Sequence, residues 1–248
     1  MALSARGRAV AIGVATLLGV SATLNLGAWQ LRRAAQKIAL QQQIDSRGGM
    51  AAVPTPELAA GPEGVAAQRY RPARLRGRWV PERNVFLENR QIGNGRVGFY
   101  VVTPLRLEGR EDAVLVQRGW VPRDLRDRTL LPSVATPGGS VEVEGRIAPP
   151  PARLFEFAPS TGGVIRQNLD LGEFAAETGL RLLPVSVQQS DSPATAGDGM
   201  IRDWPHPAVD VQRNQGYAFQ WFALAALMAG LYVWFQLVRP WRQRHVRP

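Results

Sequence analysis

Two long stretches without a single charged residue bracket this chain, and they limit what it can become. Ala9 to Trp29 (AVAIGVATLLGVSATLNLGAW) runs for 21 residues, and Gly216 to Val238 (GYAFQWFALAALMAGLYVWFQLV) runs for 23. At about 1.5 Å of rise per residue, either one as a helix covers a hydrocarbon core of ~30 Å. Arg6, Arg8, Arg32 and Arg33 close the first, and Arg213 and Arg239 close the second. An arginine at the bilayer centre costs about 2.5–3.5 kcal/mol, so the charges mark the ends of the runs. Trp29, Trp221, Tyr232, Trp234 and Trp241 lie near those ends, as an interfacial aromatic belt does.

The first run has a rival reading. Arg6 and Arg8 followed by an apolar stretch reaching Val20-Ser21-Ala22 also describe a cleavable secretory signal. Against cleavage, the apolar character continues to Trp29. Ala11, Ala15, Gly19, Thr23 and Gly27 also recur every fourth residue, a small-residue stripe suited to close helix packing in lipid. The same stripe fits an Ala/Gly-rich helix without a specific partner.

Charge then excludes one class of partner. Of the 30 basic residues, ten flank the two runs: Arg6, Arg8, Arg32, Arg33, Lys37, Arg213, Arg239, Arg242, Arg244 and Arg247. Between Ile38 and Gln212 the remaining 20 arginines balance 20 Asp plus Glu. The excess is thus juxtamembrane, where it meets anionic lipid head groups; nucleic acid is not expected as a partner. Four arginines after Val238 outweigh Arg213 alone before the second span, which places the C-terminus, and with two spans the N-terminus, in the cytoplasm. Arg32, Arg33 and Lys37 begin a loop too long for that rule to govern. The expected order is a cytoplasmic N-terminus 1–8, a span 9–31, a juxtamembrane helix and loop 32–68, an extracytoplasmic β domain 69–212, a second span with its polar entry 213–238, and a basic tail 239–248.

Within the loop, LRRAAQKIALQQQID (Leu31 to Asp45) extends the first helix, and SRGGMAAVPTPELAAGPEG breaks into Gly- and Pro-rich loop. From Arg69 the period becomes two. Leu75, Gly77 and Trp79 alternate with Arg74, Arg76 and Arg78; Val97, Phe99, Val101, Leu105 and Leu107 fall on one face; Val141, Val143 and Ile147 oppose Glu142, Glu144 and Arg146. AVLVQRGWV is a more continuously buried run, LLPVSVQQ a late strand, and Leu171 to Gly179 a helix closed by its glycine. The fold class is membrane-anchored α+β, two transmembrane helices flanking an antiparallel sheet or barrel-like domain with a few short helices.

Catalytic sets are thin. There are no cysteines, and the two histidines are His206, between prolines ahead of the second span, and His245 in the tail. One outer histidine cannot build a multi-histidine metal site, and Pro-His-Pro offers no nucleophile elbow or oxyanion hole. GNGRVG (Gly93 to Gly98) spells a dinucleotide fingerprint but joins two strands, so a hairpin turn at Asn94-Gly95 is expected instead. In Arg118-Gly119-Trp120-Val121-Pro122, turn chemistry competes with a sharper reading, in which Arg118 stacked beside Trp120 holds a carboxylate or propionate.

Five segments, GAWQLRRAAQK, GRWVPERNVFLENR, GFYVVTPLRL, VLVQRGWVP and NQGYAFQWF, stand in the order in which they occur in the Surfeit locus protein 1 family, and the chain resembles that family over nearly its whole length. The resemblance implies a non-enzymatic assembly factor of the bacterial inner membrane, with its main domain periplasmic. It implies action on haem-copper cytochrome c oxidase, in haem a insertion or stabilisation of the catalytic subunit, with an oxidase subunit and haem a synthesis or insertion proteins as partners. It also implies that the first span is retained. Many members read Asn-His where this chain has Asn214-Gln215, and that histidine is their proposed haem a ligand. Positions carried over toward a transient haem a are therefore Gln215, Tyr217 and Trp221, with His206 as a substitute donor. Ala15, Gly19, Thr23, Gly27 and Gln220 are the expected docking residues, Gln220 seeking a partner on the first span. A haem a carrier with a non-standard ligand and an anchored hydrolase are the alternatives.

Overall fold

The computed structural model describes residues 4–93, 95–124, 126–127, 130–156 and 162–245. They form two compact units, Met1–Gln42 with His206–Pro248, and Gln43–Pro205. Asn94, the residue expected to open the hairpin turn, lies outside the described residues, as do 246–248 of the tail.

The first unit is helical. Helix α1 spans Ala5–Gly48, unbroken because no proline precedes Pro54, and it ends at the Gly48-Gly49 pair. After the β domain described below, which contributes helices α2 (Pro62–Gln68) and α3 (Leu171–Thr178), a second helix α4 covers Val211–Tyr232. It passes into a π-helical segment Val233–Val238 and then α5, Arg239–His245. The π turn has a local cause. Pro240 has no N–H for the preceding ladder and its ring crowds the carbonyl of Gln236, so the helix widens first, with Arg239 N–H donating to the Trp234 carbonyl. Both α1 and the stretch from Pro207 to Gln243 are long and apolar enough to cross a membrane.

The second unit is a β domain. Its strands are β1 (Val53–Pro54), β2 (Pro72–Trp79), β3 (Val85–Ile92), β4 (Arg96–Leu107), β5 (Asp112–Pro122), β6 (Ser140–Ala148), β7 (Ile165–Arg166) and β8 (Arg181–Gln189). Neighbours run β2–β6–β8–β5–β4, and β4 returns to β2 through Gly77–Trp79 against Leu105–Leu107, which closes a barrel. Here the structure corrects the purely antiparallel expectation, because β5 and β8 run parallel. Five directions cannot alternate around a closed ring, so one neighbouring pair has to be parallel. The short pairs β1–β2 and β3–β7 are parallel as well.

Leu75, Leu105, Val114, Val116, Val143, Ile147, Val185 and Val187 pack into one core, joined by Val53, Leu58 and Val65 from the segment expected to be loop. Each such side chain contributes about 1.5–3 kcal/mol of burial, enough to order that segment as β1 and α2. The expectation of one buried face on β4 also fails. Phe99 and Val101 pack with Phe86 and Met200, while Tyr100 and Val102 pack with Trp120 and Phe174 on the other side. Strand β4 is covered on both faces, so alternation marks its strand character but not a wet side. Helix α3 ends as read from sequence, with Gly179 at φ 69° and Asp170 capping its start through Gly172 and Glu173 N–H. The stretch joins two strands as a hairpin: Gly93 and Gly95 take φ of 44° and 84° between β3 and β4, and Gly95 N–H donates to Ile92 O at 3.0 Å.

Candidate functional site

The packed face of α1 follows a period of its own. Gly13, Thr16, Val20, Thr23, Gly27, Gln30, Ala34, Lys37 and Gln41 are buried or half-buried positions along it. They alternate steps of three and four, an average of about 3.5 residues, which keeps one seam facing one partner. On α4 the matching positions are Val211, Asn214, Ala218, Trp221, Ala225, Met228 and Tyr232. A Cβ at Gly13, Gly19 or Gly27 would meet Tyr232 at 3.2 Å, Met228 at 3.3 Å or Phe222 at 2.7 Å respectively. Low numbers on α1 meet high numbers on α4, so the pair is antiparallel and its terminal ends lie at the same end.

This corrects the stripe. Thr23 and Gly27 lie on the seam and Gly19 flanks it beside Met228, whereas Ala11 and Ala15 are exposed. A step of four overshoots a turn by about 40°, so a row from Ala11 to Gly27 winds nearly halfway round the helix. Thr23 is buried but satisfies its hydroxyl within α1, donating toward the carbonyls of Gly19 at 2.9 Å and Val20 at 3.0 Å.

At one end of the seam the packing becomes polar. Asn214 Nδ2 donates to Gln30 Oε1 at 2.7 Å, and Lys37 Nζ donates to Asn214 Oδ1 at 3.0 Å. One amide thus bridges two seam positions of α1 seven residues apart, using its donor and its acceptor at once. A polar layer in an apolar seam is poor glue but a strong register mark, because any slip leaves these groups unpaired. Asn214→Leu should weaken the helix pair by about 1–2 kcal/mol, since both partners lose their bond. Thermal unfolding of the full chain in detergent reads this, and an unchanged midpoint would contradict the bridge.

The expected site residues are not gathered here. Gln215, Tyr217 and Gln220 are exposed, and Gln220 faces away from the seam, so it is Asn214 that finds α1. Trp221 is half-buried on the seam. His206 is exposed at the start of the turn Pro207–Asp210, and His245 stacks on Trp241 at 4.8 Å at the other end of the helix. Gln30 and Lys37 were missed, though their seven-residue spacing was readable. An axial haem ligand needs imidazole, thiolate, thioether or phenolate. Position 215 offers an exposed amide, and the described residues hold no cluster of three or more His, Cys, Asp or Glu side chains placed to hold a metal ion. Gln215 therefore does not fit haem ligation, and the two expected side chains of a suitable kind, His206 and Tyr217, are both exposed.

The carboxylate-holding reading of Arg118 is also corrected. Arg118 is the extra residue of a β-bulge, since Val101 faces Gly119 and Val102 faces Gln117. The bulge aims the guanidinium at Trp79, 4.8 Å from the ring centroid, while Arg96 lies over Trp120 at 5.3 Å. Its fork donates to Thr136 Oγ1 at 2.8 Å and Ala135 O at 2.7 Å. Burial lowers its pKa to about 10. Arg118 fastens a loop to the barrel.

Comparison with known proteins follows the same outline. A model of the SURF1 family matches residues 17–226, from within α1 to within α4. A SURF1-like protein of Drosophila melanogaster is 27% identical over 247 residues, covering 92% of this chain and 77% of the relative. Surfeit locus protein 1 of Rattus norvegicus is 27% identical over 243 residues, covering 89% and 74%. A SURF1-like protein of Rickettsia bellii is 25% identical over 217 residues, covering 84% and 83%.

Proposed function

The chain belongs to the SURF1 family, and from that premise we propose that it is a membrane-anchored, non-enzymatic assembly factor for haem-copper cytochrome c oxidase. It crosses the bacterial inner membrane twice through α1 and α4, with both termini cytoplasmic and the barrel periplasmic. It supports haem a insertion into the catalytic subunit, or stabilises that subunit while insertion occurs, by docking rather than by ligating iron. The observation that carries the reading is the family match over residues 17–226, which takes in the β domain and much of both helices, with the polar layer of Gln30, Lys37 and Asn214. That layer fixes the register of the two spans and so presents one defined helix-pair surface to a partner.

The partners are an oxidase subunit and membrane proteins of haem a synthesis or insertion. Deleting the gene should lower the haem a absorption of membranes by about tenfold or more, the effect of losing ~1.4 kcal/mol or more of stabilisation from an intermediate. Other respiratory complexes should keep their activity. Unchanged oxidase across several growth conditions refutes the proposal. A strong haem a spectrum on the purified protein itself, abolished in His206→Ala, would replace docking with carriage.

A further inference from the structure

The helix pair carries a second feature, at the opposite end from the polar layer. A groove of about 410 Å³ opens between α1 and the end of α4, lined by Ile12, Ala15, Thr16, Met228, Tyr232 and Gln236 among others. From Met228 to Gln236 is eight residues, about 12 Å along the axis. That is most of the ~15 Å depth of one leaflet's hydrocarbon, and far short of the ~30 Å seam that a third spanning helix would occupy. The lining is graded. Met228 lies at the deep end, while the Tyr232 and Gln236 side chains lie toward the chain termini.

Just beyond that polar end the charge is uniformly positive. Arg8 is one turn from Ile12, Arg239 is three residues from Gln236, and Arg6 and Arg242 follow; all four are exposed. Arg239 lies 6.0 Å from the ring centroid of Phe235, which lines the groove, and this holds its guanidinium at the rim; Arg242 lies 5.8 Å from the Trp234 ring on the same helical segment. No Asp or Glu occurs before Asp45 or after Asp210, so no acidic side chain on these segments neutralises the collar.

An apolar slot one leaflet deep beneath an unpaired basic collar is complementary to one chemistry. We propose that this groove is a binding site for an anionic phospholipid of the cytoplasmic leaflet, its acyl chain along Ala15, Thr16 and Met228 and its phosphate among Arg8, Arg239 and Arg242. The inference rests on the membrane-spanning reading above. Basic pockets between spanning helices on the cytoplasmic side hold such head groups, each arginine contributing about a fivefold factor in affinity.

The test uses the full chain in nanodiscs holding phosphatidylglycerol and phosphatidylcholine of identical acyl chains in equal amounts, released for native mass spectrometry. Retained lipid should be phosphatidylglycerol by about tenfold or more, and Arg239→Gln and Arg242→Gln should each reduce that preference about fivefold. Ala15→Phe, which fills the slot and leaves the collar intact, should abolish retention. Equal retention of the two lipids, or a preference unchanged in the Arg239→Gln/Arg242→Gln double variant, overturns the proposal. So does an Ala15→Phe protein that keeps its lipid while oxidase assembly fails, which would make the groove a seat for a protein helix. Alkaline extraction of native membranes separates the two readings. A chain released by alkali ends both, whereas a chain retained in the membrane but indifferent to headgroup ends the lipid site alone.

Discussion

Trp120→Ala is expected to cost the β domain about 4–8 kcal/mol, which approaches the whole stability of an ordinary domain. Trp120 is 1% exposed and packs with Leu87, Tyr100, Leu115 and Phe174, so truncation leaves a large cavity worth about 3–5 kcal/mol. Its indole N–H donates to the Arg90 carbonyl at 2.9 Å inside the fold. Losing that donor orphans a buried acceptor for about 1–3 kcal/mol more. The surroundings cannot collapse inward cheaply, because Trp120 also bridges Ile201 through two backbone bonds of 2.7 and 2.9 Å. Gly98 provides the space on the other side: a Cβ there would lie 2.6 Å from the indole and 2.2 Å from the Val121 carbonyl. Trp120→Phe keeps most of the ring and should lose only ~1–3 kcal/mol. Chemical denaturation of the full chain, followed by far-UV circular dichroism and protease cleavage within the barrel, distinguishes these outcomes. A Trp120→Ala protein within 1 kcal/mol of the parent would mean that the barrel does not depend on this layer.

What the residues disclose locally and what they conceal have different physical origins. Strand alternation at Leu75, Gly77 and Trp79, the turn at Gly93 and Gly95, and the capped helix at Leu171 are short-range consequences of backbone geometry, so they were legible. A barrel-like domain was one of the two readings, but which strands close it was not legible. Closure rests on three residues of β2 meeting three of β4, a non-local pairing to which no single segment points. The parallel β5–β8 pair follows from closure and was hidden with it. Val53, Leu58 and Val65 looked like loop because their partners are supplied by distant strands. In the helices, the small residues repeat every four positions while the packed period is about 3.5, so the two drift apart with length and Ala11 is exposed. Gln220 drew attention as the polar residue inside the apolar run, but position on the seam decides which amide is used, and Asn214 holds that position.

Gly27 tests whether this seam does the anchoring and positioning proposed for it. Gly27→Leu should force the helices apart at the layer next to the polar bridge, because a Cβ alone would stand 2.7–3.0 Å from three atoms of the Phe222 ring. Gln30 is one turn along α1, so separation there also pulls Gln30 and Lys37 away from Asn214. Overpacking of about 1–3 kcal/mol and lost interhelical bonds of about 0.6–1.7 kcal/mol together suffice to shift the paired population by tenfold or more. The chain contains no cysteine, so Gly19→Cys with Met228→Cys reports the contact between those two positions without background. Oxidative cross-linking in membranes should be efficient in the parent and should fall about tenfold or more with Gly27→Leu, haem a-containing oxidase falling in parallel. Phe222→Ala in the same chain removes the clashing ring and should restore both readouts, a coupling that unrelated damage to the helix would not produce. Full cross-linking in the Gly27→Leu protein would show that the seam accommodates the larger side chain without parting, and this layer would then not be what sets the pairing of the two helices.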